Sequence, residues 1–158
     1  MSGIADELYC LLVPLAEGRL LIPRGCVAEV IGYQTPADLT GVPPWLQGLV
    51  SWNGRHVPVV SFEGCLGGDL PPVTSRARLV ILAAADPRIA AGNIALVSQG
   101  FPQLLRAARE VLRNDDSVRY PDEGPVVTRL QLLNETALVP DLPWIEARVA
   151  EVTAGLPR

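Results

Sequence analysis

The sequence predicts a mainly β fold, on three observations. Its apolar residues fall in runs of about five to eight, the length of strands rather than helices. Those runs are cut at short intervals by 15 prolines and 14 glycines, the residues that punctuate turns. The dipeptide Asn53-Gly54 stands between two apolar stretches, and both of its residues tolerate the left-handed backbone of a type I′ hairpin turn. This many short strands, with turns between them, suit a barrel or a pair of barrels.

The elements follow in order. Leu8 to Pro14 and Arg19 to Pro23 read as strands joined by a tight turn at Ala16-Glu17-Gly18. Cys26 to Ile31 is a third strand, and Gly48 to Trp52 with His56 to Phe62 form the hairpin around Asn53-Gly54. Pro58 cannot donate to a ladder, so its strand is expected to lie at an edge or to carry a bulge. Further strands are expected at Ala77 to Ala84, Asn93 to Ser98, Val126 to Leu133 and Thr136 to Pro140. The segments 67–75, 114–117 and 121–125 read as loops. Asp141 is placed to cap a closing helix whose Leu142, Ile145, Val149 and Val152 share one face, with Pro143 harmless in its first turn. Phe101 to Arg113 stays undecided: Leu104, Leu105, Ala108, Val111 and Leu112 have helical spacing, which favours a helix from Leu104 onward.

A chain of 158 residues, 49% apolar and 19% charged, is long enough to bury a core and far from the composition of disorder. A single domain over residues 1–158 is the expectation. Net charge is −4, with basic residues scattered, so nothing draws the chain to a phosphate backbone and nucleic acid is not an expected partner. No apolar run approaches the ~20 residues of a membrane helix, and the N-terminus lacks the pattern of a secretory signal. The expected setting is the cytoplasm, without membrane insertion.

Catalytic and ligand chemistry finds little support. Cys10, Cys26 and Cys65 are widely spaced, with no C-x-x-C pair, and read as buried hydrophobes. Cys26 or Cys65 with His56, the one histidine, is the only route to a nucleophilic enzyme, and no nucleophile elbow surrounds either cysteine. Gly64, Gly67 and Gly68 form no phosphate-binding frame, and Asp115, Asp116, Asp122 and Glu123 lack the spacing of a calcium loop. No cofactor or metal is expected.

Glu29 stands out, because strict alternation would set it on one face with Val27 and Ile31. Either that face is exposed, or Glu29 is a polar point in a docking groove and needs a cationic or hydrogen-bonding partner, with Arg24 and Arg55 the nearest suppliers in sequence. Trp45, after Val42-Pro43-Pro44, is the expected exposed or semi-exposed anchor; Trp52 and Trp144 are assigned to packing.

Val27-Ala-Glu-Val30, the link Val42-Pro-Pro-Trp-Leu-Gln-Gly48 and the stretch Gly48-Leu-Val-Ser-Trp-Asn-Gly-Arg-His-Val-Pro-Val-Val-Ser-Phe62 resemble, in order, the CheW family of chemosensory adaptors. The resemblance implies two interleaved SH3-like five-stranded β-barrel lobes with a C-terminal helix, and it would make Phe101 to Leu105 a strand edge, against the helical spacing from Leu104 onward. It implies a non-enzymatic adaptor that joins the cytoplasmic tip of a chemoreceptor to a CheA-type histidine kinase. Carried over by motif, the receptor-facing residues are Val27, Glu29, Val30, Asn53 and Gly54; Arg55, His56 and Pro58 follow on the strand leaving the turn. Where the family has an Arg before the turn glycine this chain has Asn53, and Ser51 and Ser61 replace an Asn and an Asp. The usual Glu–Arg pair therefore needs Arg55 or Arg24. These departures resemble the divergent CheW-like proteins of pilus chemosensory clusters, which modulate twitching motility. The alternatives are a cysteine-dependent enzyme and a β-barrel module for a small ligand.

Overall fold

The computed structural model describes residues 7–108, 112–132 and 135–154. β1 (Glu7–Pro14) and β2 (Arg19–Pro23) form the first hairpin. The Leu15 N–H donates to the Gly18 carbonyl at 3.0 Å, and Gly18 takes φ 80°, the left-handed geometry that this turn requires. A 3-10 turn at Arg24–Cys26 leads into β3 (Val27–Gly32). β4 (Leu46–Trp52), β5 (Arg55–Val60), β6 (Arg78–Ala83) and β7 (Asn93–Ser98) complete a five-stranded sheet in the order β3-β6-β7-β5-β4. The chain then returns to the first hairpin. β8 (Gln103–Ala108), β9 (Arg113–Asn114), β10 (Val126–Gln131) and β11 (Thr136–Pro140) join it in a six-stranded sheet, β8-β1-β2-β11-β10-β9. The closing helix is α2 (Leu142–Ala154).

The mainly β architecture, the two sheets and the C-terminal helix match the expectation, with one sheet of six strands instead of five. Four local readings are corrected. The helix favoured from Leu104 is instead β8, because the backbone from Gln103 to Ala108 pairs with β1 over six residues. Helical spacing there is incidental: Leu105 turns to a core while Leu104 points out, 57% exposed, the period of a strand. Val111 lies outside the described residues.

The strand expected to reach Phe62 stops at Val60. Ser61 caps a short helix, α1 (Phe62–Cys65), its hydroxyl accepting from the Gly64 N–H at 3.1 Å. Cys26 belongs to the 3-10 turn and not to β3. The strand expected to end at Leu133 ends at Gln131, and Leu133 lies outside the described residues.

Pro58 is accommodated differently from the expectation, since its strand is not an edge of the sheet and the bulge falls in the partner strand. β5 lies between β7 and β4, but its pairing to β7 is confined to Val59 and Val60, so at Pro58 it has β4 alone as neighbour. The β4–β5 register also shifts by a bulge between Leu46 and Gly48.

The largest core lies between the sheets and α2. Val13, Leu20 and Ile22 of one sheet meet Val60, Val80 and Leu96 of the other, with Phe62 from α1 and Ile145 and Val149 from α2. Each such fully buried side chain contributes about 1.5–3 kcal/mol of transfer free energy. A second cluster fills the five-stranded sheet, with Ile31 of β3 and Val50 of β4 packing on it, so the sheet curls until its two edge strands share one interior. A third, around Cys10, Leu12, Leu21 and Ala137, fills the six-stranded sheet.

α2 is capped as expected, Asp141 Oδ1 accepting from the Trp144 N–H at 3.0 Å. Leu142, Ile145, Val149 and Val152 face the main core. The same face carries Glu146, 5% exposed, whose Oε1 accepts the Ala85 and Asp86 N–H groups at 2.7 and 2.8 Å. This carboxylate holds the β6–β7 loop against the helix.

Candidate functional site

The expected site residues other than Trp45 fall on three surfaces, divided by the two faces of β3 and of the β4–β5 hairpin. In β3 the deciding feature is a bulge. Val27 is opposite Leu82, but the register shifts before Glu29, which is opposite Ile81. The extra residue flips the alternation. Val27 packs on the main core, whereas Glu29 and Ile31 share the face of Ile81 and Leu79, toward the interior of the five-stranded sheet. The expected single face of Val27, Glu29 and Ile31 is therefore corrected. Val30, opposite Val80, projects on the other face and is 36% exposed.

Glu29 is exposed, and it has a partner that was not expected. The Trp52 indole Nε1–H donates to its Oε1 at 2.9 Å. Trp52 closes β4 opposite Arg55, with Asn53 at φ 48° and Gly54 at φ 72°, both left-handed as a type I′ turn demands. The hydrogen bond ties the two edge strands of the curled sheet, and Trp52 also packs on its interior cluster.

Arg55 does not replace the missing arginine: its Nη1 donates to the Asn93 Oδ1 at 3.0 Å and to the Ala91 carbonyl at 3.3 Å, bracing the hairpin on the β6–β7 loop. Arg24 is exposed and forms no ion pair among the described residues. The partner is of the hydrogen-bonding kind, and the signal for it in the sequence is that a tryptophan bordering a hairpin turn owns a fixed N–H donor.

His56 and Pro58 occupy a second surface. With Leu49 they line an open groove of about 880 Å³, whose other wall is Arg88 to Ala91 and whose ends reach Asp38 to Thr40 and Thr153. His56 is exposed and Pro58 buried in the groove floor. Trp45 is apart from both surfaces: half-buried, it packs on the main core against Gly64 and beside Leu70.

A third surface contains residues that were not singled out. Phe101 is 65% exposed, and the Arg78 guanidinium lies 3.8 Å from its ring centroid. Arg78 is opposite Gly32, so it shares the face of Val80 and Val30, and Phe101 thus lies on the Val30 side of β3. Leu104 follows on β8, opposite Leu11, and Tyr9, 46% exposed and opposite Arg106, lies on the same face. Exposed apolar side chains therefore run from β3 of one sheet to β8 and β1 of the other. The helical reading of this segment hid them; the signal available was an aromatic between Gly100 and Pro102, where no regular element encloses it.

Among the described residues the cysteines are not set up as nucleophiles. Burial pushes the Cys65 thiol up to about 12 and raises that of Cys10, opposite to what thiolate chemistry requires. The groove that contains His56 includes no cysteine in its walls. Among the described residues no three His, Cys, Asp or Glu side chains are grouped to hold a metal ion, and no helix is long and apolar enough to cross a membrane.

Comparison with known proteins joins this geometry to a family. The CheW-like domain model matches residues 9–142. The chain is 31% identical over 70 residues to protein PilI of Pseudomonas aeruginosa, a stretch covering 44% of this chain and 39% of PilI. The scaffolding protein TtCheW of Thermoanaerobacter tengcongensis superposes with a TM-score of 0.72 over 85% of this chain and 89% of its own, at 14% identity, a likeness of fold.

Proposed function

The chain belongs to the CheW-like domain family, and from that premise we propose that it is a non-enzymatic adaptor joining the cytoplasmic hairpin tip of a chemoreceptor to a CheA-type histidine kinase. Residues 1–158 act in this reading as one two-lobed unit. The observation that carries it is the exposed apolar strip from Val30 through Phe101 to Leu104 and Tyr9. Soluble monomers bury such side chains or use them. A strip that crosses from one sheet to the other suits a rod-shaped partner, and the apolar face of a helical hairpin is such a rod. Glu29 and the Asn53-Gly54 tip border the strip across the β3 edge, so the receptor-facing residues are Val27, Glu29, Val30, Asn53 and Gly54, now joined by Phe101 and Leu104.

The likeness to PilI supports a place in the control of type IV pili and twitching motility. The groove with His56 and Pro58 is open along one side, which suits a macromolecular partner better than the enclosed apolar pocket of a small-ligand module.

Capture assays test the proposal, with a soluble receptor hairpin-tip fragment and the regulatory domain of the kinase as separate baits. The wild-type chain is expected to bind both, whereas Val30→Arg and Leu104→Asp lose the receptor fragment at least tenfold while keeping the kinase and the circular dichroism of the wild type. Folded variants that still bind the receptor fragment fully would remove the strip from the interface. Failure of the wild-type chain to bind either bait would reject the adaptor reading.

A further inference from the structure

We propose that Glu29 selects for partners that present a cation, a lysine ammonium or an arginine guanidinium, to the seam between β3 and the β4–β5 hairpin. The inference rests on the adaptor reading and adds to it the charge of the group recognised. The carboxylate is exposed, and its one hydrogen-bond donor among the described residues is the neutral indole of Trp52, on Oε1 at 2.9 Å. Among the described residues its negative charge has no ion-pair partner.

Among the described residues no cation forms an ion pair with Glu29. Arg55, on the opposing arm of the hairpin, is held by Asn93 and Ala91. Arg78 projects on the opposite face of the β3–β6 pair, over Phe101 and on the Ala77 carbonyl at 2.7 Å. Arg24 forms no ion pair with Glu29, and the turn residue next to Trp52 is the neutral Asn53.

Trp52 does more than leave the charge in place. A neutral donor on one oxygen fixes the direction of the carboxylate while leaving its second oxygen for an incoming donor, so the acid is oriented before a partner arrives. A cation seated there completes a charge-assisted hydrogen bond at the border of an apolar contact, where water is partly excluded and the pair gains strength. In this arrangement the apolar strip supplies affinity, and Glu29 discriminates among hairpin tips that share an apolar face but differ in charge at this point.

The test is a titration of the receptor hairpin-tip fragment with three proteins: wild type, Glu29→Gln, and the Leu104→Asp control. Glu29→Gln keeps an acceptor for Trp52 and the same shape but removes the charge. Its affinity is expected to fall about fivefold, the size of a partly exposed charge pair, and to lose most of the dependence on sodium chloride that the wild type has. In a double-mutant cycle the effect should vanish when the facing Lys or Arg of the fragment is replaced by Met. Equal affinity and equal salt dependence for wild type and Glu29→Gln, with Leu104→Asp still defective, would overturn the cation selectivity and leave the adaptor reading intact. No binding by the wild type would take down both.

Discussion

The two edge strands of the five-stranded sheet are treated differently. β4 is partly sealed: Ala37 bridges to Leu49 with reciprocal backbone hydrogen bonds of 2.8 and 3.1 Å. That approach is so close that a Cβ on Gly48 would stand 2.2 Å from the Ala37 carbonyl oxygen, and Gly48 holds φ 138°. β3 pairs with β6 alone among the described residues, and beyond its bulge and Glu29 its sequence carries neither lysine nor proline to blunt it. Unpaired edges invite another chain. Here the fold spends a glycine to close one edge and leaves the other open, flanked by Val30 on one face and Glu29 on the other. An open edge beside exposed apolar side chains gains most from a partner, so it is where docking is to be sought.

Three substitutions break or sharpen this contrast, in falling order of effect. Gly48→Ala should cost about 3 kcal/mol or more, since neither the Cβ clash with backbone nor the positive φ is relieved by a side-chain rotation. A shift in the urea midpoint with unchanged slope would show it, and a loss below about 1 kcal/mol would mean that the Ala37 bridge is not rigid. Trp52→Phe keeps most of the packing but removes the indole donor that ties the two edges. For this solvent-exposed hydrogen bond the expected loss is about 1 kcal/mol, and no measurable change would make the tie to Glu29 energetically idle.

Val30→Thr preserves the β-branched shape at an exposed site and should alter stability by less than about 0.5 kcal/mol, yet weaken capture of the receptor fragment. If stability fell further, Val30 would be a packing residue and the contrast between the edges would lose its open side.

Much of the fold was legible because its signals are local. Asn53-Gly54 and Gly18 can adopt left-handed backbone where most residues resist, and the turns formed where those residues stand. Asp141 found a helix N–H three residues on, because capping needs only short reach. The same locality misled at Leu104, where helical spacing within one segment lost to a β1 partner more than 90 residues earlier in sequence. At the site the residue types were readable and their grouping was not. A one-residue bulge in β3 separated Val27 from Glu29, and no periodicity in the segment announces it.

By itself the sequence determined a β-rich chain with its turns, its closing helix and a family motif between Val27 and Phe62, since each depends on intrinsic backbone preference or on neighbours a few residues apart. The tertiary structure alone decided which donor meets Glu29, that Arg55 is turned to Asn93, and that Phe101 and Leu104 extend the surface of Val30. Those outcomes depend on strand register and sheet curvature, which are set by pairing and packing between segments far apart along the chain.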